Sequence, residues 1–289
     1  MTVLGTLPEP GDRGWVPKVI ALDIDGTLLA WIEGLGATRE VIAEPVRTAI
    51  RRAAEAGAHI VLSSGRSAHA MTPIADLLGL PLPEADRLWI VASNGAVVTR
   101  YPPLEVVHEE LFDAREAVGK ILAARPDALV AVEERGLGYR VNRPFPAGEL
   151  TGELIPTDIE EMVAEPVARV VIRDPEATPE DFIALGAEVG LEPTSYHVGW
   201  TAWLDLAPVG ISKASGLAYV LDKLNLEPAD VLALGDGRND LQMLTWAGRG
   251  VAMGNATDDV KEVADAVTLS VEEDGAAVEI DRWFGPAAS

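Results

Sequence analysis

Cysteine is absent from all 289 residues. That excludes disulfide scaffolds, thiolate zinc sites, iron–sulfur clusters and cysteine nucleophiles. Histidine is scarce: His59, His69, His108 and His197 are the only four, and no two have the H-x-x-x-H spacing of a helical zinc site. Any bound metal is therefore expected to be hard and oxygen-ligated, magnesium before zinc. No apolar run reaches the roughly 18 residues a membrane span needs. The first residues have neither a basic start nor a continuous apolar stretch, so 1–17 reads as a flexible lead and a cytoplasmic location is expected. Positive charge is also short. Lys and Arg number 23 against 46 Asp and Glu, a formal net charge of −23. A field of that sign repels nucleic acid and anionic membranes, which leaves a small molecule as the expected partner of a monomer or homodimer.

What is present is ordinary globular material: 48% hydrophobic and 24% charged residues, with length enough for two domains. Short apolar runs alternate with helical patterns. Lys18–Leu22, Ala58–Leu62 and Leu88–Ala92 read as buried strands, with helices expected over Glu44–Ala56 and Ala68–Leu78. After Lys213 the rhythm resumes, with a helix over Ala214–Leu224 and a strand over Val231–Leu234. This alternation predicts an α/β core with a Rossmann-like parallel sheet, built from 18–100 and 200–289. Residues 101–199 differ. Their strands are short and often alternating, and Pro and Gly are frequent, so they read as an inserted α+β domain.

Four constellations carry chemistry. Asp23-Ile24-Asp25-Gly26-Thr27 places two acids at i and i+2 directly after a buried strand, where alternation sends both side chains the same way. Ligands of open α/β sheets bind at that end of the strands. A calcium loop is a poor alternative, because its glycine falls at i+5 and here it falls at i+3. Ser63-Ser64-Gly65-Arg66 follows a second strand; a hydroxyl with free N–H groups suits phosphate oxygens, and suits a helix N-cap equally. Lys213 stands near a helix start, where a lone lysine is usually solvated. Gly235-Asp236-Gly237-Arg238-Asn239-Asp240 follows the run VLAL. It lacks the third glycine of a dinucleotide loop, and its acids suit a divalent cation.

Taken in this order, the four resemble the motifs of the haloacid dehalogenase-like superfamily of phosphohydrolases: D-x-D-G-T, a hydroxyl after a strand, a lysine, and G-D-x-x-N-D. Ser93-Asn94-Gly95-Ala96 and Met243-Leu244 are similar to the Cof-type branch, which carries an α/β cap between its second and third motifs. Ser64 and Lys213 are far enough apart to hold such a cap. Ser64 stands where that branch usually has threonine, and the stretch Leu28–Glu44 is longer than usual.

The resemblance implies a magnesium-dependent phosphatase acting on a small phosphate monoester, a sugar phosphate or related metabolite, through an aspartyl-phosphate. Asp23 would be the nucleophile and Asp25 the general acid and then base. Asp23, Asp25 (by its backbone carbonyl), Asp236 and Asp240 would serve the metal. Ser64, Lys213, Asn239, Gly26, Thr27 and Gly65 would serve the phosphate. In the cap, Arg140, Arg143, Arg169, Arg173, His197 and Trp200 are the substrate candidates. A mannosyl-phosphoglycerate- or sucrose-phosphate-type phosphatase shares this cap style, and a non-catalytic binding protein could keep the same fold.

Overall fold

Two large sheets and a two-stranded ladder hold the strands of the computed structural model, which describes residues 15–32, 37–83, 85–188, 196–198 and 203–285. In chain order the first part runs β1 (Val19–Leu22), β2 (Trp31–Ile32), β3 (Ala37–Thr38), α1 (Glu44–Glu55), β4 (His59–Ser63), α2 (Ala68–Leu78), β5 (Leu88–Ala92), β6 (Val97–Tyr101) and β7 (Glu105–Glu109). The middle holds α3 (Arg115–Ala124), β8 (Leu129–Glu134), β9 (Gly138–Val141), β10 (Glu153–Pro156), α4 (Ile159–Met162), β11 (Val170–Arg173), α5 (Pro179–Glu188), β12 (Tyr196–Val198) and β13 (Trp203–Leu206). The last part holds α6 (Lys213–Leu224), β14 (Val231–Gly235), α7 (Leu241–Trp246), β15 (Arg249–Ala252), α8 (Asp258–Val263), β16 (Ala266–Val267) and α9 (Gly275–Phe284).

The larger sheet has the order β16-β15-β14-β1-β4-β5-β6-β7. It is parallel from β16 to β5, and β6 and β7 add antiparallel strands at one edge. β1 lies in the middle with every residue fully buried. It is apolar throughout because both faces are covered. Ile20 and Leu22 join the cluster beneath α1, α2 and α9; Val19 and Ala21 join the one beneath α6, α7 and α8. The α/β class expected from the alternation is the class observed.

The smaller sheet, β10-β9-β8-β11-β13-β12, is antiparallel except where β9 meets β10. Val130, Val132, Val170, Ile172, Leu204 and Leu206 point to one face, where α3, α4 and α5 cover them. Alternation sends Ala131, Glu133, Tyr139, Arg169, Val171, Trp203 and Asp205 to the other face. Strand pairing differs from the expected insert limits of 101 and 199 at both edges. β7 completes the core sheet, while β13 belongs to the smaller sheet. Both segments are short and half-exposed, so their hydrophobic pattern does not announce which sheet they join.

Candidate active site

The carboxyl ends of β1, β4 and β14 lie side by side, and each leads into a loop with one of the sequence constellations. The Asp23 N–H donates to the Leu234 carbonyl at 3.0 Å, which carries the sheet pairing one residue past β1. The chain then turns at Gly26, whose φ is +86°. A Cβ at that position would collide with the Asp236 carboxylate, so glycine here permits both the turn and the approach of the acidic loop.

Asp23, Asp236 and Asp240 each offer a carboxylate oxygen, and these oxygens lie within 4.8 Å of one another. Among the described residues the buried cation that joins them is Lys213, the first residue of α6, fully buried. Its Nζ donates to Asp23 Oδ1 and, at 2.6 Å, to Asp240 Oδ1. Ser212 and Ser215 form a reciprocal cap at this helix start, which sets the angle at which Lys213 enters. Gly95, with φ +100°, packs against the Ser212 carbonyl so closely that a Cβ there would overlap it. The turn after β5 therefore braces the lysine-bearing helix.

Three acids around one lysine leave negative charge in excess. Burial first, then repulsion from Asp240, pushes the Asp23 carboxyl up to about 7, although Lys213 pulls the other way. Burial and the charges of Asp23 and Asp240 push Asp236 up to about 9. Lys213 is held well above the usual lysine range, because its two carboxylate partners outweigh its burial. Asp240 works differently. Its Oδ2 accepts the N–H groups of Asp236 (3.0 Å) and Gly237 (2.9 Å), so it shapes the loop that carries Asp236.

The Asp25 side chain stays outside this trio. Arg66 donates Nε to its Oδ2 at 3.0 Å and Nη2 to its Oδ1 at 2.6 Å, and the Thr38 hydroxyl adds a bond at 3.2 Å. Thr38 closes the short β2–β3 hairpin, so part of the long stretch after Thr27 reaches the site. Ser64 is buried, and its Oγ accepts the Arg66 N–H at 3.1 Å. Gly65 lies against Asn94, and Asn239 donates to Asn94 Oδ1 at 3.0 Å. Thr27 is buried, and its hydroxyl has no hydrogen-bond partner among the described residues.

Sequence reading passed over two contributors. Asn255 donates to the Gly26 carbonyl (2.9 Å) and to Asp236 Oδ2 (3.1 Å), tying the two acidic loops together. Arg66 was visible only as the end of a serine-rich loop. The cap candidates fare differently from the core residues, since none of the four arginines touches the acidic trio. Arg140 pairs with Glu134 at 2.9 Å, Arg143 with Asp127 at 3.5 Å, Arg169 with Asp205 at 2.8 Å and Arg173 with Glu149 at 3.0 Å. These are contacts within the cap. The His197 backbone lies in β12, opposite Asp205. Its side chain and Trp200 lie outside the described residues.

The acidic trio fits a hard divalent cation by its donor set: oxygen ligands only, converging, and short of positive charge. Among the described residues no helix is long and apolar enough to cross a membrane. A family model of haloacid dehalogenase-like hydrolases matches residues 20–280. Two relatives from Bacillus subtilis are 5-amino-6-(5-phospho-D-ribitylamino)uracil phosphatases. YitU is 30% identical over 285 residues, 93% of this chain and 98% of its own. YcsE is 31% identical over 282 residues, 92% of this chain and 95% of its own. The crystal structure of a haloacid dehalogenase-like hydrolase from Bacteroides thetaiotaomicron superposes with a TM-score of 0.75 at 27% identity, covering 92% of this chain and 99% of that one. With the family model running through both halves of the core, and phosphatases aligned along nearly the whole length, the chain belongs to the haloacid dehalogenase-like hydrolases of the Cof-type branch and is a phosphatase acting on phosphate esters.

Proposed function

We propose that the chain hydrolyses a small phosphate monoester, with Asp23 as nucleophile and magnesium as cofactor. The observation that carries this reading is the buried Lys213, whose Nζ bridges Asp23 and Asp240 beside the unneutralised Asp236. A carboxylate meets strong repulsion from a phosphate dianion. A magnesium ion held by Asp23 and Asp236, with Asp240 orienting their loop, would supply charge neutralisation when bound. The Asp25 backbone carbonyl would complete the protein's ligands.

In the first step an Asp23 carboxylate oxygen bonds to phosphorus as the ester P–O bond breaks. Asp25 gives its proton to the departing oxygen. In the second step Asp25 takes a proton from water as that water attacks the aspartyl-phosphate, and inorganic phosphate leaves with Asp23 restored. Arg66 and Thr38 hold the Asp25 carboxyl in place. Lys213, Ser64, Thr27, Asn239 and the N–H groups near Gly26 and Gly65 line the space for the phosphoryl oxygens. Thr27 brings to that role a buried hydroxyl without a hydrogen-bond partner among the described residues.

Sugar phosphates and related metabolites are the proposed substrates. The substrate printed in the names of the two Bacillus subtilis relatives is the first compound to try. The test is phosphate release from a panel of phosphate esters with magnesium and with EDTA. Hydrolysis of one or more esters that stops in EDTA supports the reading; release that continues after chelation and dialysis overturns it.

A further inference from the structure

The face of the cap sheet away from α3, α4 and α5 carries an apolar cluster around Ala131, Phe145 and Val171, but it is not apolar where it meets the core. Glu133, on β8, has a side chain only 5% exposed. Its carboxylate leaves the cap altogether. Oε1 accepts the N–H of Ala68, the first residue of α2, at 3.2 Å. Oε2 accepts the Ser93 hydroxyl at 2.5 Å. A second cap residue lies beside it, the buried Tyr139, which pairs with Glu133 across β8 and β9. Behind both stands Arg169, with Nη1 at 3.2 Å from the Tyr139 hydroxyl and 3.9 Å from Glu133. Arg169 is itself fixed by two hydrogen bonds to Asp205, at 2.9 and 3.0 Å, and Asp205 also accepts the Trp203 indole N–H at 2.9 Å. A desolvated carboxylate held this firmly at a helix start, with its charge answered from behind, is an expensive arrangement to keep for packing alone.

The core atoms that Glu133 grips belong to the phosphate pocket's support. Ser93 donates its N–H to the Arg66 carbonyl at 2.8 Å, and Asn94 donates its own to the Ser64 carbonyl at 3.0 Å. Both residues hold positive φ, +51° and +53°, a conformation that non-glycine residues adopt only when the surroundings impose it. Asn94 in turn receives Asn239 from the acidic loop. One cap carboxylate thus holds the turn that positions Ser64, Arg66 and Asn239.

We propose that Glu133 is a positioning residue, which makes the arrangement of the phosphate-binding loops depend on the cap being seated. This rests on the reading of Ser64 as a phosphate ligand. The cap then contributes to the chemical step for every substrate, including those too small to touch it.

The test uses the full chain with magnesium and p-nitrophenyl phosphate. The variants are Ser93→Ala, Glu133→Ala, Glu133→Gln, the Ser93→Ala/Glu133→Ala double and Ser64→Ala. Rates are scaled to the folded fraction read from a melting curve. Loss of a hydrogen bond to a charged group should lower kcat about tenfold in each alanine variant, with KM changed less than about threefold. Glu133→Gln, which keeps an acceptor, should recover part of the loss. The double variant should be no slower than Glu133→Ala, because both changes cut one link. Unchanged kcat in the single variants, or losses that multiply in the double, would overturn the proposal while an inactive Ser64→Ala leaves the pocket reading standing. A fully active Ser64→Ala overturns both.

Discussion

The core site and the cap face treat charge in opposite ways. At the carboxyl ends of β1 and β14, three acids converge on one lysine, and burial with mutual repulsion lifts Asp23 and Asp236 far above the usual carboxylate range. In the cap, the arginines each face an acid of their own: Arg169 with Asp205, Arg173 with Glu149, Arg140 with Glu134. Balanced pairs are complete without a ligand. An unbalanced cluster is complete only when something positive arrives. The contrast separates residues that await a partner from residues that hold the fold, a distinction that charge counts alone do not make.

The largest effect that sharpens this contrast is expected at Asp23. Asp23→Asn should lower turnover at least about 10⁴-fold, since the amide is a poor nucleophile of nearly the same shape. The chain should still fold, as circular dichroism and melting would show. Residual activity within tenfold of wild type would remove Asp23 from the nucleophile role.

On the cap side the expected loss is of stability. Arg169→Ala leaves Asp205 and Glu133 buried without their cation, and should destabilise the fold by about 3–5 kcal/mol. Arg143, whose pair with Asp127 is exposed, should lose less than about 1 kcal/mol. Urea denaturation of both variants measures the difference. Equal losses would mean that Arg169 is not a structural cation.

Next in size is the response to metal. Asp23 and Asp236 have folded pKa values raised to about 7 and about 9. A raised folded value means that the metal-free protein binds these protons more tightly than the unfolded chain does. The corresponding stability is fully present below the unfolded value near 3.8 and is lost as pH rises through about 7 and then about 9. Magnesium held by the proposed site would compete with those protons and offset the repulsion. Its stabilisation, about 2.7 kcal/mol at a hundred times its dissociation constant, should therefore grow from mildly acidic to alkaline pH. Differential scanning fluorimetry with and without magnesium reads this directly. A melting shift that shrinks as pH rises would show that these acids do not hold the ion.

The smallest effect is expected from Asn255→Ala. The side chain ties Asp236 to the Gly26 carbonyl, and its loss should raise the magnesium concentration needed for half-maximal activity about tenfold. An unchanged magnesium requirement would reduce Asn255 to a loop brace.

Local signals in the sequence marked the acids and the α/β alternation, whereas Lys213 stood out only through the order of motifs that resembles the family. Asp23 and Asp25 two apart after an apolar run, or Asp236 and Asp240 in a glycine loop, are visible because neighbours in sequence are neighbours in the site. The unread parts depend on partners far along the chain. Arg66 meets Asp25 across 41 positions, Glu133 meets Ser93 across 40, and Asn255 meets Gly26 across 229. A lone polar residue in a plain segment carries no mark of such a meeting. The cap arginines drew notice for the same reason in reverse: their charge was visible, and the acids that answer it lay on other strands. The helix α9 escaped because it opens on a glycine and its buried face is made mostly of small residues, Gly275, Ala276 and Ala277, which mark no strong apolar stripe, yet it packs on α1 and supplies Ile280 to the core.

The sheet order also governs the protein's synthesis. β1 lies between β4 and β14, so one edge of β1 stays unpaired during synthesis until the chain has been made past Gly235. Asp23 emerges early, while Lys213, Asp236 and Asp240 arrive only after the whole cap has been translated. A nascent or truncated chain therefore carries the proposed nucleophile, Asp23, without the lysine and acids that gather beside it in the folded site. It also shows the unpaired N–H and C=O groups along the edge of a strand whose side chains are all apolar, the kind of surface that chaperones cover and that aggregates when they do not. Catalytic competence and protection of that edge are reached together, when β14 docks.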